Sequence, residues 1–385
     1  MHEFVARGVR ERPWQAVPLP QAVEIDDLPT PALVLDREAF ERNLITMRDH
    51  LSAHGKAPRP HAKTHKCPII SHAQIELGAV GICVAKVGEA VAHAAAGVQN
   101  ILITSPVTHP GKLAVLEDVA RGIAALDVVV DSRPGAELIR ERWPRDLRLG
   151  VVLDVDVQMG RTGNRDAAQL AEIAERLAGH GRVELVGMQH YAGNLMHIES
   201  FSERKEKSLA AWEKALETGR AVFGELPAVV TGCGTGTFDI DVAVPEISDL
   251  QVGSYIFMDR EYVEIEGRSG PHLDTFQPAL TVVCTVISAP TRHGVTVDGG
   301  YKAFASDTVT PLPLDLPEAK FHFAGDEHGV VVRGKGDQEP LLGRVLSFMV
   351  PHCDPTVNLH DQYWVRDADG MVREVWPITA RGAAW

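Results

Sequence analysis

Lys63 lies in a segment that is rich in side chains able to do chemistry. Residues 58–68 read Pro-Arg-Pro-His-Ala-Lys-Thr-His-Lys-Cys-Pro and follow a helical pattern and a short strand-like run. Because a lysine amine can form a Schiff base with a carbonyl compound, Lys63 is a candidate for covalent attachment. Most lysines are solvated surface charges, and the segment taken alone leaves that alternative open.

Arg161 lies in a second polar segment, Asp156-Val-Gln-Met-Gly-Arg-Thr-Gly, which follows an apolar run at residues 149–155. The glycines allow a close turn, and the guanidinium would present fixed donors to a ligand. An ion pair with Asp154 or Asp156 is the alternative.

Tyr191 and His197 belong to a third polar segment, Gln189-His-Tyr-Ala-Gly-Asn-Leu-Met-His, which follows the apolar run at residues 183–188. Its hydrogen-bonding rings are suited to holding a cofactor or moving a proton. Buried polar rings that only satisfy one another are the alternative.

A glycine-rich segment, Thr231-Gly-Cys-Gly-Thr-Gly-Thr237, follows another apolar run. Its backbone N–H groups are little covered by side chains, as an anion cradle requires. The segment lacks the Gly-Lys-Ser/Thr ending of a nucleotide-binding loop, so it predicts the phosphate of a small cofactor rather than ATP. Gly253-Ser-Tyr255, after the next run, would complete the cradle, and a plain tight turn is the alternative.

His352 and Asp354 form a candidate metal pair in the segment Pro351-His-Cys-Asp-Pro-Thr356. Because a proline keeps the preceding residue extended, we expect both side chains on one side of a β-like segment and Cys353 on the other. An imidazole and a carboxylate favour Mn²⁺ or Mg²⁺, with Zn²⁺ as a third option, and they leave positions open for substrate. Asp326-Glu-His-Gly329 is another acid–base cluster, with a salt-bridged turn as its alternative.

These polar segments need a scaffold that brings strand ends together. Residues 36–55 predict an amphipathic helix with Asp36 as its N-cap. Apolar runs begin at residues 33, 81, 101, 126, 149, 183, 228 and 250, and most are separated by helical patterns such as residues 112–124, 166–178 and 201–223. About eight such strands over roughly 240 residues predict an α/β fold of the (β/α)8 TIM-barrel type, whose strand-end loops build the site.

After Arg268 the sequence changes to short β-type runs punctuated by Gly, Pro and Asp, at residues 280–287, 294–298, 329–332, 344–350, 362–366 and 371–375. These runs predict a second domain of antiparallel strands. The first 30 residues show no clear helix and are expected to add a strand to it. We therefore divide the chain into a barrel of residues 31–268 and a β domain of residues 1–30 and 269–385, which carries the metal pair.

Composition and charge exclude several classes of protein. The 385 residues are 45% hydrophobic, and the net charge of −14, without a basic cluster, argues against nucleic acid or membrane partners. Five cysteines without Cys-x-x-Cys spacing argue against a disulfide framework or a structural zinc site. The sequence lacks a run of about 18 apolar residues and an apolar N-terminal segment, so we expect a cytoplasmic protein that acts on small molecules.

Taken in order, the segments around Lys63, Arg161, Tyr191, residues 231–237 and His352 resemble the D-threonine aldolase/D-serine dehydratase family. The resemblance spans residues 28–382 and ends with Trp-Pro-Ile-Thr-Ala-Arg-Gly. Members of this family are metal-activated pyridoxal-phosphate enzymes of the alanine-racemase-like fold. Such two-domain enzymes generally form homodimers, so the resemblance implies a homodimer here.

By that resemblance, Lys63 would form the Schiff base with pyridoxal 5'-phosphate, Arg161 would meet the pyridine ring and Tyr191 would position it. His352 and Asp354 would bind the divalent ion. The phosphate and its surroundings would be contacted by Thr231, Gly232, Gly234, Thr235, Gly236, Gly253, Ser254 and Tyr255.

The resemblance implies retro-aldol cleavage of a D-β-hydroxy-α-amino acid into glycine and an aldehyde. The ion would acidify the β-hydroxyl, and His197 or a metal-bound water would remove its proton. Because dehydratases of the family typically pair their histidine with a cysteine on Zn²⁺, Asp354 favours the aldolase branch. Dehydration of D-serine or 3-hydroxyaspartate, racemisation and a non-catalytic pyridoxal-phosphate carrier are the alternatives.

The resemblance leaves the aldehyde side of the substrate open. A D-threonine-like substrate is favoured, and the alternative is 3-hydroxy-D-aspartate, which would give glyoxylate and need a cation such as Arg260 or Lys302 for its second carboxylate. Ala192, Asn194 and Met196 differ from the residues common in the family around Tyr191, which is compatible with a substrate bulkier than threonine.

Overall fold

The computed structural model describes residues 2–291, 294–305, 307–316, 318–334 and 340–385. The described residues form eighteen strands: β1 Val17–Val23, β2 Ala32–Asp36, β3 Ala57–Pro58, β4 Ile82–Val84, β5 Asn100–Ile103, β6 Ala125–Val130, β7 Leu149–Asp154, β8 Val183–His190, β9 Val229–Gly232, β10 Asp249–Leu250, β11 Leu280–Thr291, β12 Gly294–Val297, β13 Leu312–Pro313, β14 Lys320–Phe323, β15 Gly329–Val332, β16 Val345–Met349, β17 Gln362–Arg366 and β18 Val372–Pro377. They also form eleven α-helices: α1 His2–Arg10, α2 Arg37–Ser52, α3 Pro68–Glu76, α4 Val87–Ala95, α5 Pro110–Gly122, α6 Arg133–Arg142, α7 Ala167–Leu177, α8 Phe201–Phe223, α9 Phe238–Asp241, α10 Arg260–Val263 and α11 Cys353–Val357.

The strands from β3 to β10 form one parallel sheet in the order β3-β10-β9-β8-β7-β6-β5-β4. A parallel bridge between His61 and Cys83 links the chain just after β3 to β4, at the opposite end of that order. Because helices cover one face and the barrel interior covers the other, the strands are mostly apolar, as in β7, whose six residues are all buried. The predicted (β/α)8 barrel with a second β domain is therefore confirmed.

The first barrel strand differs from the prediction. The run at residues 33–35 belongs to β2, which pairs antiparallel with β11 and parallel with β17 in the second sheet. The barrel begins instead at β3, which has two residues and therefore no periodicity to recognise. A short apolar run gives the same signal in either sheet, so the sequence pattern could not separate them. We therefore propose that the barrel domain begins after Asp36 rather than at residue 31. Its predicted end at residue 268 stays a prediction.

The second sheet contains the other ten strands. All six predicted runs form strands there, whereas the short strands β13 and β14 were not predicted. The sheet is mixed rather than purely antiparallel, because β17 runs parallel to β2. The strand expected near the N-terminus is β1, which pairs with β18.

Helix α1 corrects the prediction that the first 30 residues contain no helix. Of its described side chains, Ala6 and Val9 are buried. With nine residues, the helix is shorter than the window of about 11–18 residues over which apolar periodicity is read, which explains why the sequence pattern did not reveal it.

Helix α2 connects the two sheets and begins where the sequence predicts. The Asp36 carboxylate accepts a hydrogen bond from Ala39 N at 2.9 Å, as an N-cap does. Within the helix, the buried Asn43 donates to the carbonyls of Ile256 and Gln277, which ties the end of the barrel to the start of the second domain. Among the described helices, none is long and apolar enough to cross a membrane.

Candidate active site

A cavity of about 590 Å³ opens where the barrel strands end. Its lining comes from the loops that follow seven different strands, as expected for the carboxyl-end face of such a barrel. Seven of the residues assigned to cofactor binding from the sequence line this cavity: Lys63, Arg161, Tyr191, Gly234, Thr235, Gly253 and Ser254.

Lys63 projects from the turn after β3 and donates a hydrogen bond from Nζ to the Asp354 carboxylate of helix α11. Burial alone would lower the pKa of Lys63, but the adjacent Asp354 charge outweighs it and raises the pKa above its ordinary value. Burial would likewise raise the pKa of Asp354, and the charges of Lys63 and His352 overcome this and hold it below its usual range. The amine therefore meets one member of the candidate metal pair directly.

Arg161 and Tyr191 form a second unit of the cavity wall. The guanidinium carbon lies 5.3 Å from the centre of the Tyr191 ring, within the range of a cation–π contact. The Asp156 carboxylate binds Arg165, with Nη2 at 2.6 Å. Arg165 thus occupies the ion pair with Asp156 that the sequence left open for Arg161.

Two glycine-bearing loops meet at the wall of the cavity. Thr235, after β9, accepts a hydrogen bond from Tyr255 N at 3.1 Å through Oγ1, which joins the loop after β9 to the segment after β10. Cys233 has φ of +75°, a left-handed conformation that a residue with a side chain rarely adopts. Such strain is typical of backbone that is held in place at a binding site.

Four residues assigned to the phosphate region do not face the cavity. Thr231 Oγ1 donates to the Asp249 carboxylate at 2.6 Å, and the Tyr255 hydroxyl accepts from Gln74 at 3.2 Å in the core. A Cβ on Gly232 would lie 1.9 Å from the His190 carbonyl, and one on Gly236 would lie 2.0 Å from the Met196 carbonyl. These two glycines are therefore required by close backbone packing.

The geometry expected around Asp354 is wrong. Asp354 lies in the first turn of α11 rather than in a β-like segment, and His352 is the extended residue that precedes the helix. Proline is accommodated in a first helical turn because its nitrogen needs no partner there, so Pro355 does not keep Asp354 extended. Cys353 is fully buried, and its backbone N–H donates to the Asp259 carboxylate at 2.8 Å.

Two carboxylates near His352 were not recognised in the sequence. Ligand atoms of Glu261, Asp307 and His352 all lie within 4.8 Å of one another, and Asp307 Oδ2 lies 2.8 Å from His352 Nδ1. Burial would lower the pKa of His352, but Asp354, Asp259 and Asp307 outweigh this effect and raise it. Asp307 is 45 residues from His352 in the chain, so no local spacing pattern could have revealed the cluster.

His197 lies beside this cluster rather than in the lining of the cavity. Its Nε2 lies 3.6 Å from Glu261 Oε2, and its ring contacts the Tyr262 ring with centroids 4.5 Å apart. Burial lowers the pKa of His197 to about 4, so the imidazole is neutral at pH 7. A neutral imidazole in this position can accept a proton.

Gln251 was not predicted, although it is a polar residue directly after an apolar strand, the same relation that identified Arg161. It follows β10, lines the cavity, and donates from Nε2 to Gln189 at 3.0 Å and to Thr231 at 3.1 Å. Lys86, after β4, also lines the cavity.

Three other candidates lie elsewhere. Lys302 forms an exposed ion pair with Glu327, so the cluster at residues 326–329 belongs to a salt-bridged surface turn. Arg260 lines a separate cavity of about 620 Å³ and binds Glu264 and the Thr310 carbonyl. Neither cation lines the 590 Å³ cavity.

The residues of the cavity and of the His352 cluster fit the two groups that the family resemblance implies, pyridoxal phosphate and a divalent metal ion. The cavity combines an amine, a stacked guanidinium and exposed loop backbone, which suits a flat carbonyl cofactor with a phosphate. Thr64 Oγ1 at the same wall is buried and lacks a hydrogen-bond partner among the described residues, so it is available to a ligand. The imidazole and carboxylates around His352 are ligand types that a divalent ion accepts.

Comparison with known proteins supports the same family. Residues 35–261 match the model of the alanine racemase N-terminal domain, and residues 279–366 match that of a putative serine dehydratase domain. A D-threonine aldolase of Arthrobacter sp. is 37% identical over 385 residues, which cover 99% of both chains. A 3-hydroxy-D-aspartate aldolase of Paracoccus denitrificans (strain Pd 1222) is 34% identical over 377 residues, which cover 96% of both chains.

The fold leads to the same group of proteins. A crystal structure of D-threonine aldolase from Filomicrobium marinum matches with a TM-score of 0.89 and 33% identity, covering 96% of this chain and 100% of the other. The residue ranges that match the two family models include Lys63, Arg161, Tyr191 and the His352–Asp354 pair. The chain therefore belongs to the D-threonine aldolase/D-serine dehydratase family of the alanine-racemase-like fold.

Proposed function

We propose that the protein is an aldolase, dependent on pyridoxal phosphate and a divalent metal ion, that cleaves D-β-hydroxy-α-amino acids into glycine and an aldehyde. The observation that carries the proposal is the hydrogen bond between Lys63 and Asp354. It places the only side chain type that can hold the cofactor covalently next to the candidate metal pair. The D-threonine aldolase of Arthrobacter sp., which is similar over nearly its whole length, supports the same activity.

The barrel residues would hold the cofactor. Lys63 would bind it covalently, Arg161 would lie at the ring with Tyr191 stacked against the guanidinium, and the Gly234 and Gly253 loops would receive the phosphate. When bound, the cofactor supplies a conjugated ring that takes up the electron pair left on Cα. The loop backbone and Arg161 would hold the cofactor in one orientation in the cavity.

The second domain would hold the ion, with His352 and Asp354 as its ligands. Manganese or magnesium is favoured because the pair combines an imidazole with a carboxylate, and zinc is a third option. The ion supplies Lewis acidity at the β-hydroxyl of the substrate. Because Lys63 donates a hydrogen bond to Asp354, an ion held by this pair would lie close enough to the cofactor for both to bind the same amino alcohol.

His197 is the proposed base. Since its imidazole is neutral at pH 7, it can take the β-hydroxyl proton as the Cα–Cβ bond breaks. The hydroxyl oxygen then becomes the aldehyde carbonyl, the electron pair remains on Cα, and protonation of Cα gives glycine. The neighbouring Tyr262 ring, with its centroid 4.5 Å from that of the imidazole, would hold the His197 ring in place.

A D-threonine-like substrate is preferred over 3-hydroxy-D-aspartate. The two cations suggested for a second carboxylate, Arg260 and Lys302, are bound to Glu264 and Glu327 away from the cavity. The hydroxyaspartate stays the second candidate because Lys86 lines the cavity and offers a different cation. We further propose a homodimer, by analogy with two-domain enzymes of this fold, and a cytoplasmic location, in keeping with five free cysteines.

A product screen tests the proposal. The enzyme, loaded with pyridoxal phosphate and Mn²⁺, is incubated with D-threonine, D-phenylserine and 3-hydroxy-D-aspartate, with L-threonine as the control. We expect glycine and the corresponding aldehyde in equal amounts from D-substrates alone. Formation of 2-oxobutanoate from D-threonine would instead indicate dehydration, and loss of the D-enantiomer without aldehyde would indicate racemisation.

A further inference from the structure

Glu261 is held beside His352 by the backbone of two segments. Glu261 N donates to the Pro351 carbonyl at 3.3 Å, and Arg260 N donates to the Val350 carbonyl at 3.1 Å. The buried Asp259 carboxylate accepts from Cys353 N at 2.8 Å and from Tyr262 N at 3.1 Å. Three of these hydrogen bonds fix the start of α10 against the residues that flank His352, and the fourth, from Tyr262 N, caps the helix itself.

The Glu261 carboxylate is buried, and only part of its hydrogen-bonding capacity is used. Its side chain is 8% exposed, and Oε1 has no hydrogen-bond partner among the residues that the structure describes. An unpaired buried carboxylate oxygen costs free energy unless a cation or donor reaches it. Its other oxygen lies 3.6 Å from His197, which is too long for a strong hydrogen bond.

The spacing of the cluster is that of ligands around one ion. Ligand atoms of Glu261, Asp307 and His352 lie within 4.8 Å of one another. Around an octahedral ion with bonds of about 2.1 Å, neighbouring ligand atoms are about 3 Å apart and opposite ones about 4.2 Å apart. Small side-chain rotations would bring the Glu261 carboxylate and the His352 imidazole to a common ion while Asp307 remains on His352 Nδ1.

The electrostatic setting favours a divalent cation at the same place. Asp354, Asp259, Asp307 and Glu261 all interact electrostatically with His352. Lys63 neutralises the charge of Asp354. A concentration of carboxylates beside one imidazole attracts a dication far more strongly than a single carboxylate would.

We propose that Glu261 is a third protein ligand of the ion held at His352 and Asp354, and that Asp307 is a positioning residue that orients the His352 ring through Nδ1. This inference rests on the metal dependence in the proposed function. A carboxylate that accepts from one ring nitrogen fixes the imidazole orientation and leaves the other nitrogen for the metal. The site then has three protein ligands and open positions for the substrate.

The test is Mn²⁺ titration of the cofactor-loaded enzyme, with free Mn²⁺ measured by electron paramagnetic resonance. We expect Glu261→Gln to weaken Mn²⁺ binding by about 100-fold and Asp307→Asn by about 10-fold, in the range of losses known for metal-site residues. Glu264→Gln is the matched control, since Glu264 follows the same helix, is 46% exposed and pairs with Arg260. It should bind Mn²⁺ as the unchanged enzyme does.

Further measurements separate ligation from folding. Far-ultraviolet circular dichroism checks each variant, and Glu261→Asp, which retains the carboxylate, should recover part of the lost affinity. A folded Glu261→Gln enzyme that binds Mn²⁺ with unchanged affinity would overturn the inference and leave the proposed function intact. An unchanged enzyme that binds no Mn²⁺ would overturn both.

Discussion

The Lys63 ammonium of the barrel donates a hydrogen bond to the Asp354 carboxylate of the second domain. Lys63 follows the first barrel strand, whereas Asp354 lies in a short helix of the other sheet region. The contact therefore brings the candidate site of covalent attachment and the candidate metal pair to one point between the two domains. The effects expected of changes at Lys63 and Asp354 depend on that arrangement.

Lys63→Ala should remove the covalent cofactor and lower turnover by at least about a thousandfold, because an alanine cannot form the imine bond. The absorbance of the purified protein in the visible range and an aldehyde assay check both effects. Lys207→Ala serves as control, since Lys207 is half-exposed on α8 and pairs with Glu203. A Lys63→Ala protein that retains the absorption band and full activity would falsify the assignment.

Asp354→Cys should shift the enzyme from cleavage toward dehydration. A thiolate beside the His352 imidazole favours Zn²⁺ over Mn²⁺, because it is the softer ligand. With D-threonine as substrate, we expect the ratio of 2-oxobutanoate to acetaldehyde to rise by about tenfold in the presence of Zn²⁺. Asp361→Cys, at a largely exposed position bound to Arg381, is the matched control. An unchanged product ratio in the Asp354 variant would mean that this residue does not set the reaction type.

Arg161→Lys should weaken cofactor binding although it retains the positive charge. The planar guanidinium stacks on Tyr191, and an ammonium lacks that planar face and fork of donors. A loss of about 0.5–2 kcal/mol is expected, which corresponds to roughly a twofold to thirtyfold increase in the dissociation constant. Fluorescence titration of the cofactor-free protein with pyridoxal phosphate measures it. If the variant and the unchanged protein bind pyridoxal phosphate with equal affinity, the contact between Arg161 and Tyr191 contributes nothing to cofactor binding.

The buried pair His65 and His93 should make the protein sensitive to mild acid. Burial lowers the pKa of His65 to about 3 and holds that of His93 well below its ordinary value. Between pH 7 and pH 5 the unfolded chain therefore binds protons that the folded protein excludes, so stability falls as the pH falls below about 6.5. With a pKa of about 3, His65 contributes a loss of about 2 kcal/mol at pH 5, and His93 adds a loss of the same sign.

Urea unfolding at pH 7 and pH 5 measures this effect. Replacing His93 by Gln retains a polar partner for Ser71, which lies 3.2 Å from His93 Nδ1, but removes one titrating group. The difference in unfolding free energy between the two pH values should be smaller in the variant than in the unchanged protein. If the variant loses as much stability on acidification as the unchanged protein, the folded state must accept the proton on His93.

Much of the site was predictable because polar residues directly follow apolar strands. That relation located Lys63, Arg161, Tyr191 and the loops at Gly234 and Gly253, since the strand ends of a parallel barrel face one opening. It also applied to Gln251, which nevertheless escaped notice because a single glutamine has no distinctive chemistry of its own.

The remaining features depend on long-range packing. Tyr255 follows a strand as Ser254 does, yet its ring lies in the core against Phe276. Strand β2 was placed in the wrong sheet because its apolar pattern is the same in both. Glu261 reaches His352 only through the association of the two domains, and Asp307 reaches it from 45 residues away within the second domain, so no local spacing encodes either contact.

The most direct test of the account measures acetaldehyde and glycine from D-threonine before and after chelation. The cofactor-loaded enzyme is dialysed against EDTA, assayed, and assayed again after Mn²⁺ is restored, while the cofactor absorbance is followed throughout. We predict that both products disappear together after chelation and return with Mn²⁺, with the cofactor still bound. Undiminished cleavage by the chelated enzyme would contradict the joint action of cofactor and ion.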